Sequence, residues 1–487
     1  YLGSNPSSEE FSPPIVGGEK IIEVVQNFES KNSTDINGLS VTFLKKIIYS
    51  IARPLTHIFN LSFQQGRIPS QLKTCRVVPI FKSGKKDCMD HFRPIGLINV
   101  FAKVMEKILC LNLTNFLETN NLIYMHQYGF RKAHSTIHPM IHFLNMVAEA
   151  SNKKEFTIAI FCDLQKCFDV FDREILLRKM DFYGIRGIAL EWFKDYFTDR
   201  SQFVDLNGNF SSVKSSVLGV IQGSILGPIL SNLYLNDLHK VVIKLLLFSF
   251  ADDSKFVYSD NSLENLILTA NLEFRKVAQW MRANRLMLHP DKTKYMIFCP
   301  RQKPIDKSLC KVFLNNNDIG ATFEDPRLIK EITFLNIADE PIIRFLGLYL
   351  DPHLTFRFHV TQILSKISKG LYIMRTVKNI LPESALKTLY FSLINSHLIY
   401  ALPAYGCADR SILNPLIKIQ KKAIRIVTKS KWNSHSEPIF QRLGIMRFED
   451  MIKYSQLEFM HLFEHQRLPE SFKNIWRTKF LVLIIIH

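Results

Sequence analysis

Phe250-Ala251-Asp252-Asp253 restricts the fold of this chain more than any other feature. It sits between two apolar runs, residues 241–250 and 256–258. The pattern predicts strand, tight turn, strand, with two adjacent carboxylates at the tip. Adjacent carboxylates repel, and such a pair persists most naturally where a divalent cation neutralises it. Taken alone, the pair would read as a solvated Asp-Asp turn. It is not alone. The apolar run Phe156-Thr157-Ile158-Ala159-Ile160-Phe161-Cys162 has strand length and ends in Asp163. Leu164-Gln165-Lys166-Cys167-Phe168-Asp169 then leads into a helical pattern at 174–180. One carboxylate at a strand end and two at a hairpin tip suit two Mg²⁺ ions about 4 Å apart, the spacing that clamps both oxygens of a phosphoryl transfer. Mg²⁺ keeps water and substrate phosphates in its shell, so few protein ligands suffice.

The 487 residues are enough for several domains or one multi-lobed enzyme. Lys and Arg number 62 against 44 Asp and Glu, a net charge of +18 that suits a polyanionic partner such as nucleic acid, though a merely solvated basic surface gives the same count. The eight cysteines form no CxxC pair, so neither a zinc knuckle nor a redox motif is present, and several read as buried thiols. With no secretory signal at the start, a reducing intracellular compartment is expected. No apolar run approaches the ~20 residues of a membrane span. Gly84-Lys85 fails as a phosphate loop, because Pro79 and Lys86 stand where glycine and a hydroxyl residue are needed. Tyr1 at the start and the run Ile484-Ile485-Ile486-His487 at the end read as a fragment of a longer open reading frame.

Along the chain, residues 1–17 read as a linker rich in Ser, Pro and Gly. Helices are expected at 19–28, 41–51, 55–65, 100–118 and 140–150, with a strand at 76–81 and a basic turn at 82–86. Residues 300–341 are irregular, with a turn signal at Asn315-Asn316-Asn317-Asp318. From 360 on the chain reads as helical and basic.

Several ordered blocks together resemble a reverse transcriptase of the non-LTR (LINE-type) retrotransposons, nearest the jockey-like group. The resemblance spans about residues 35–450. Val78-Pro79-Ile80-Phe81-Lys82-Ser83-Gly84 and Phe92-Arg93-Pro94-Ile95 resemble the segment whose cations hold the incoming triphosphate, which implies Lys82 and Arg93. Gln127-Tyr128-Gly129-Phe130-Arg131-Lys132 resembles the template-contacting segment and implies Arg131 and Lys132. Asp163 corresponds to the first metal ligand and Phe168 to the aromatic ring under the incoming sugar. Gly219-Val220-Ile221-Gln222-Gly223 resembles the next motif, with Gln222 and Gly223 beside nucleotide and template. Phe250-Ala251-Asp252-Asp253 supplies the remaining catalytic carboxylates. Lys292 corresponds to a lysine that protonates pyrophosphate, and Phe345-Leu346-Gly347 to the hairpin that grips the primer end. Lys418, Lys421, Lys422 and Arg425 fall at helical spacing on a stripe that would track the duplex backbone. The sequence departs from the family at Gly96 (usually Ser), Cys167 (usually Ala), Ile221 (usually Pro) and Tyr405 (often Trp).

The resemblance implies an α+β right-handed polymerase. Residues 1–61 would be an N-terminal linker and helices, 62–155 mixed fingers, 156–350 a palm and 351–487 a helical thumb and C-terminal region. The palm is expected to be an antiparallel sheet with helices on one face. The implied activity is RNA-directed DNA synthesis by two Mg²⁺ ions (or Mn²⁺) at Asp163, Asp252 and Asp253. The implied partners are an RNA template, a DNA primer, dNTPs and an endonuclease fused upstream. The implied setting is a retrotransposon ribonucleoprotein in nucleus and cytoplasm, with no membrane. A second reading stays open: an inactive relic, or a nucleic-acid-binding protein on the same fold. Ile221 favours the relic; the intact carboxylates and Phe168 oppose it. A polymerase of another lineage, such as an intron maturase or telomerase, fits the Phe250-Ala251 pair less well.

Overall fold

The computed structural model describes residues 2, 6–165, 167–300, 302–303, 305–306, 309–314, 327–328 and 341–473. The turn signal at Asn315-Asn316-Asn317-Asp318 and the apolar tail lie outside them.

The central sheet has four antiparallel strands in the order Leu246–Phe250, Asp253–Asp260, Phe156–Cys162, Lys294–Phe298. Every residue of Phe156–Cys162 is buried. Its side chains alternate between two separate cores: Ile158 and Ile160 lie in one, Ala159 and Phe161 in the other. The first face is covered by the helix Leu263–Ala283, where Phe274 meets Phe256 with ring centroids 5.9 Å apart. The second is covered by the helix Ile137–Asn152, where Phe143 packs on Phe161, Phe248, Phe298 and Phe345. The expectation of helices on one face is therefore corrected. A strand with two dry faces needs apolar residues at every position, and that is why this run does not alternate.

A second sheet pairs Phe92–Ile98 antiparallel with Thr74–Phe81, which runs parallel to Ser201–Leu206; the short strands Asn209–Phe210 and Lys214–Ser215 complete it. The helices expected at 41–51 and 55–65 are one helix, Val41–Gln65, with Pro54 inside. Its buried face runs unbroken from Leu44 and Ile48 to Phe59 and Phe63, so packing on both sides of Pro54 holds the turn that proline weakens. Ser40 caps its start and Gly66, at φ 65°, ends it.

The first residues are not a free linker. The Ser7 and Phe11 amides donate to the carbonyls of Phe182 and Gly184, and the Phe11 ring is buried against Phe116. After the hairpin Ile343–Phe345 and Leu348–Leu350, the chain is helical, led by Arg357–Val377, Arg410–Val427 and Phe448–Glu464. These helices share one core with the second face of the sheet, through Phe345, Leu348, Leu371, Tyr390, Leu416 and Ile424. All eight cysteines are free thiols, and Cys75, Cys162, Cys167 and Cys310 are buried. Among the described residues no helix is long and apolar enough to cross a membrane.

Candidate active site

The Asp-Asp turn is the two-residue connection of a hairpin. Phe250 pairs with Asp253, leaving Ala251 and Asp252 at the tip. Ala251 has φ 58°, in the left-handed region that a non-glycine residue enters at a cost of about 1–3 kcal/mol. Four neighbouring residues, 126–129, hold it there. The buried Gln127 Oε1 accepts from the Ala251 N–H (3.1 Å) and from the Gly129 N–H (2.9 Å). The Tyr128 amide donates to the Ser249 carbonyl, and the Ser249 amide to His126. Gly129 lies so close that a Cβ on it would stand 2.2 Å from the Ala251 nitrogen. Gln127 and Gly129 thus anchor the turn, a role the sequence reading gave to neither. The signal was present: a glutamine and a glycine two residues apart inside an otherwise apolar and basic block.

The other carboxylates converge on this tip. Strand register pairs Cys162 with Ser254, so Asp163 lies one step beyond, level with Asp253. The Asp163 carbonyl accepts from the His289 N–H (2.9 Å), and Leu164 bridges to Leu288, which pins the end of the strand. Lys292 Nζ lies 3.2 Å from Asp163 Oδ2, while its own side chain is 60% exposed. Lys255 Nζ lies 3.3 Å from Asp253 Oδ1 and over the Phe345 ring. Burial lowers the Lys255 pKa, and Asp253 opposes that shift. Burial raises the Asp252 carboxyl above its usual range, and the charges of Asp253 and Asp163 push it the same way. A hard cation would relieve that strain, and three carboxylates are the donor type Mg²⁺ takes. Among the described residues no group of three or more His, Cys, Asp or Glu is arranged to hold a metal ion.

The loop holding Gln222 packs against the turn holding Phe168. The Val220 N–H donates to the Phe168 carbonyl and the Gly219 N–H to the Phe171 carbonyl, both at 2.8 Å. Phe168 is partly buried, with its ring 6.4 Å from Phe130 and 6.2 Å from Phe171. Gly223, at φ 110°, is exposed, and a Cβ there would stand 2.7 Å from the Gly96 carbonyl. Two departures from the family meet here: a Cβ on Gly96 would lie 2.5 Å from Ile221 Cγ2. The branched methyl of Ile221 fills the space that a side chain at 96 would need. The far side of the loop rests on the fully buried Glu106, which accepts from the Ile225 N–H (2.8 Å) and the Tyr196 hydroxyl (2.8 Å).

Of the remaining expected residues, Lys82 and Arg93 are exposed on neighbouring segments at one end of the second sheet, where Arg93 pairs with Ile80. Lys132 is exposed. Arg131 is not available as expected: it forks onto Glu118 and also donates to the Tyr124 and Gln127 carbonyls. Four of its five N–H groups are engaged inside the protein, so it clamps the segment that carries Gln127. Phe345 is core, only 1% exposed, and cannot itself touch nucleic acid. The turn residues Leu346 (φ 47°) and Gly347 (φ 98°) border a cleft of about 660 Å³ with Asp253, Arg344, Lys366, His397 and Tyr400. On the helix Arg410–Val427, Lys418 and Lys422 are exposed and Lys421 and Arg425 partly so, opposite the buried Leu416, Ile419 and Ala423. Arg425 Nε also donates to the Ser434 carbonyl (2.8 Å), which commits part of its fork.

Residues 82–350 match the family reverse transcriptase (RNA-dependent DNA polymerase). The chain is 24% identical over 470 residues to the probable RNA-directed DNA polymerase from transposon BS of Drosophila melanogaster, covering 93% of this chain and 49% of that protein. It is 26% identical over 421 residues to the RNA-directed DNA polymerase from mobile element jockey of the same species, covering 83% of this chain and 43% of that protein. The jockey polymerase of Drosophila funebris matches at 24% over 454 residues, 89% of this chain and 46% of that protein. The chain spans about half the length of these curated relatives. With more than half of its residues inside the matched region and its carboxylates gathered at one end of an antiparallel sheet, this chain belongs to the reverse transcriptase family.

Proposed function

We propose that this chain is the RNA-directed DNA polymerase of a jockey-like mobile element, extending a DNA primer with dNTPs on an RNA template. The observation that carries the reading is the convergence of Asp163, Asp252 and Asp253, with Asp252 held in the field of the other two. Asp163 and Asp252 would hold two Mg²⁺ ions (Mn²⁺ as a substitute), with Asp253 beside them. Bound there, the metals would activate the primer 3′-hydroxyl and neutralise the departing pyrophosphate. Lys292 reaches Asp163 on an exposed stem, so its ammonium can deliver a proton to pyrophosphate. Lys82 and Arg93 offer charge to the triphosphate, and the Phe168 ring lies at the floor of the sugar pocket. The cleft beside Asp253 would receive the primer end, and the Lys418–Arg425 stripe would follow the duplex.

In this reading the central sheet is the palm, residues 62–155 the fingers and 351–487 the thumb and C-terminal region. The nicking endonuclease belongs to a part of the element outside this sequence, and the setting is a ribonucleoprotein moving between cytoplasm and nucleus. The fit of Ile221 against Gly96 supports an active enzyme over a relic, because the departure at 221 is packed rather than merely tolerated.

The test is primer extension by the purified chain on an RNA template, with and without Mg²⁺. Asp252→Asn should abolish extension and leave duplex binding nearly unchanged. Extension by that variant within a few fold of the parent would sink the two-metal assignment.

A further inference from the structure

Asp169 follows Phe168 directly and faces Gln222. Gln222 Nε2 lies 2.9 Å from Asp169 Oδ1 and 3.0 Å from Oδ2. A carboxylate only accepts hydrogen bonds, so the nitrogen end of the amide must face Asp169. That fixes the orientation of the Gln222 amide. The amide oxygen is the end left for a ligand.

The backbone supports the same conclusion. Gly219 and Val220 donate to the carbonyls of Phe171 and Phe168, and a Cβ on Gly219 would stand 2.5 Å from the Asp169 carbonyl. The loop and the turn are therefore one unit, joined by two backbone bonds and one charged side-chain contact. A charge-assisted contact of this kind is stronger than a neutral one.

We infer that Asp169 is a positioning residue that makes Gln222 an obligate hydrogen-bond acceptor toward the nucleotide or template. Resting on the proposed polymerase function, this names the chemistry of that subsite: the partner of Gln222 is a donor, a sugar hydroxyl or a base amino group. It also links Gln222 to Phe168, so base positioning and sugar fit move together.

A double-mutant cycle tests this. Asp169→Asn, Gln222→Ala and the pair are compared by kcat and KM for dNTP on an RNA template. Asparagine can offer either end of its amide, so Gln222 can flip. Asp169→Asn should raise KM for dNTP about tenfold in the parent and change nothing further in the Gln222→Ala background. Additive losses would overturn the inference, as would a raised Mg²⁺ requirement in Asp169→Asn, which would make Asp169 a metal ligand. Hydrogen exchange needs no activity and separates failure here from failure of the polymerase reading. Amides of residues 219–223 should exchange faster in Asp169→Ala than in the parent. Unchanged exchange there would show that Asp169 does not hold the loop. A parent that extends no primer, with loop protection still dependent on Asp169, would sink the polymerase reading and leave the positioning role standing.

Discussion

Gly129→Ala probes the support of the Asp-Asp turn. The backbone of Gly129 is outside the left-handed region, so alanine is allowed there by its own dihedrals. What forbids it is space. The new Cβ would lie 2.2 Å from the Ala251 nitrogen and 3.0 Å from the Ala251 Cα and the Phe250 carbonyl carbon. Ordinary contact begins at 3.4 Å, so the turn and the 126–130 segment must separate by about 1.2 Å. Both partners are backbone, and both are already tied by the Gln127 and Tyr128 hydrogen bonds, so no side chain can swing away. Overpacking of this kind costs about 1–3 kcal/mol of stability. The larger effect falls on chemistry, where a 1 Å misplacement of a reacting group costs on the order of 10²-fold. The expected result is a fall in kcat of about two orders of magnitude, a higher Mg²⁺ concentration for half-maximal extension and a modest drop in Tm. Single-turnover extension across a Mg²⁺ titration, with parallel urea melts, measures all three. A variant with kcat within threefold of the parent and an unchanged Mg²⁺ midpoint would show that Gly129 does not set the position of the carboxylates.

Three further outcomes are expected. Asp252 has its folded pKa raised above the ordinary 3.8, so its ionisation opposes folding: stability is greatest below that value and is lost as pH rises through the folded pKa. Metal-free Asp252→Asn should therefore melt higher than the parent at neutral pH and equally at pH 3; a lower Tm at pH 7 would contradict the burial and like-charge argument. Phe168→Val should lower the ratio of kcat/KM for dNTP over rNTP, because a smaller side chain admits a 2′-hydroxyl; equal losses on both substrates with a fall in Tm would mark a core residue instead. Reversing charge at Lys421 and Lys422 should weaken RNA–DNA duplex binding for every sequence and flatten its salt dependence; an unchanged slope of log Kd against log salt would leave the stripe as solvated surface.

The sequence alone determined the elements whose signals are local. The strand into Asp163, the hairpin at Asp252-Asp253 and the helical spacing of the basic stripe from Lys418 to Arg425 follow from runs, spacing and turn residues within a few positions of one another. The order of the motif blocks was likewise legible, and with it the family. The tertiary structure decided what depends on which distant segments meet. Nothing near Arg131 in the sequence says that Glu118 and two carbonyls will consume its donors, and nothing near Phe345 says that Phe143 and Phe161 will bury it. The second covered face of the sheet was hidden for the same reason, since a continuous apolar strand does not say what lies on each side. Gly96 and Ile221 look like two separate departures until packing places one against the other. Gln127 and Asp169 gain meaning only from backbone and side-chain partners 124 and 53 residues away. Hydrogen bonds and close contacts act over a few ångströms in space, and chain separation carries no trace of them until the fold closes.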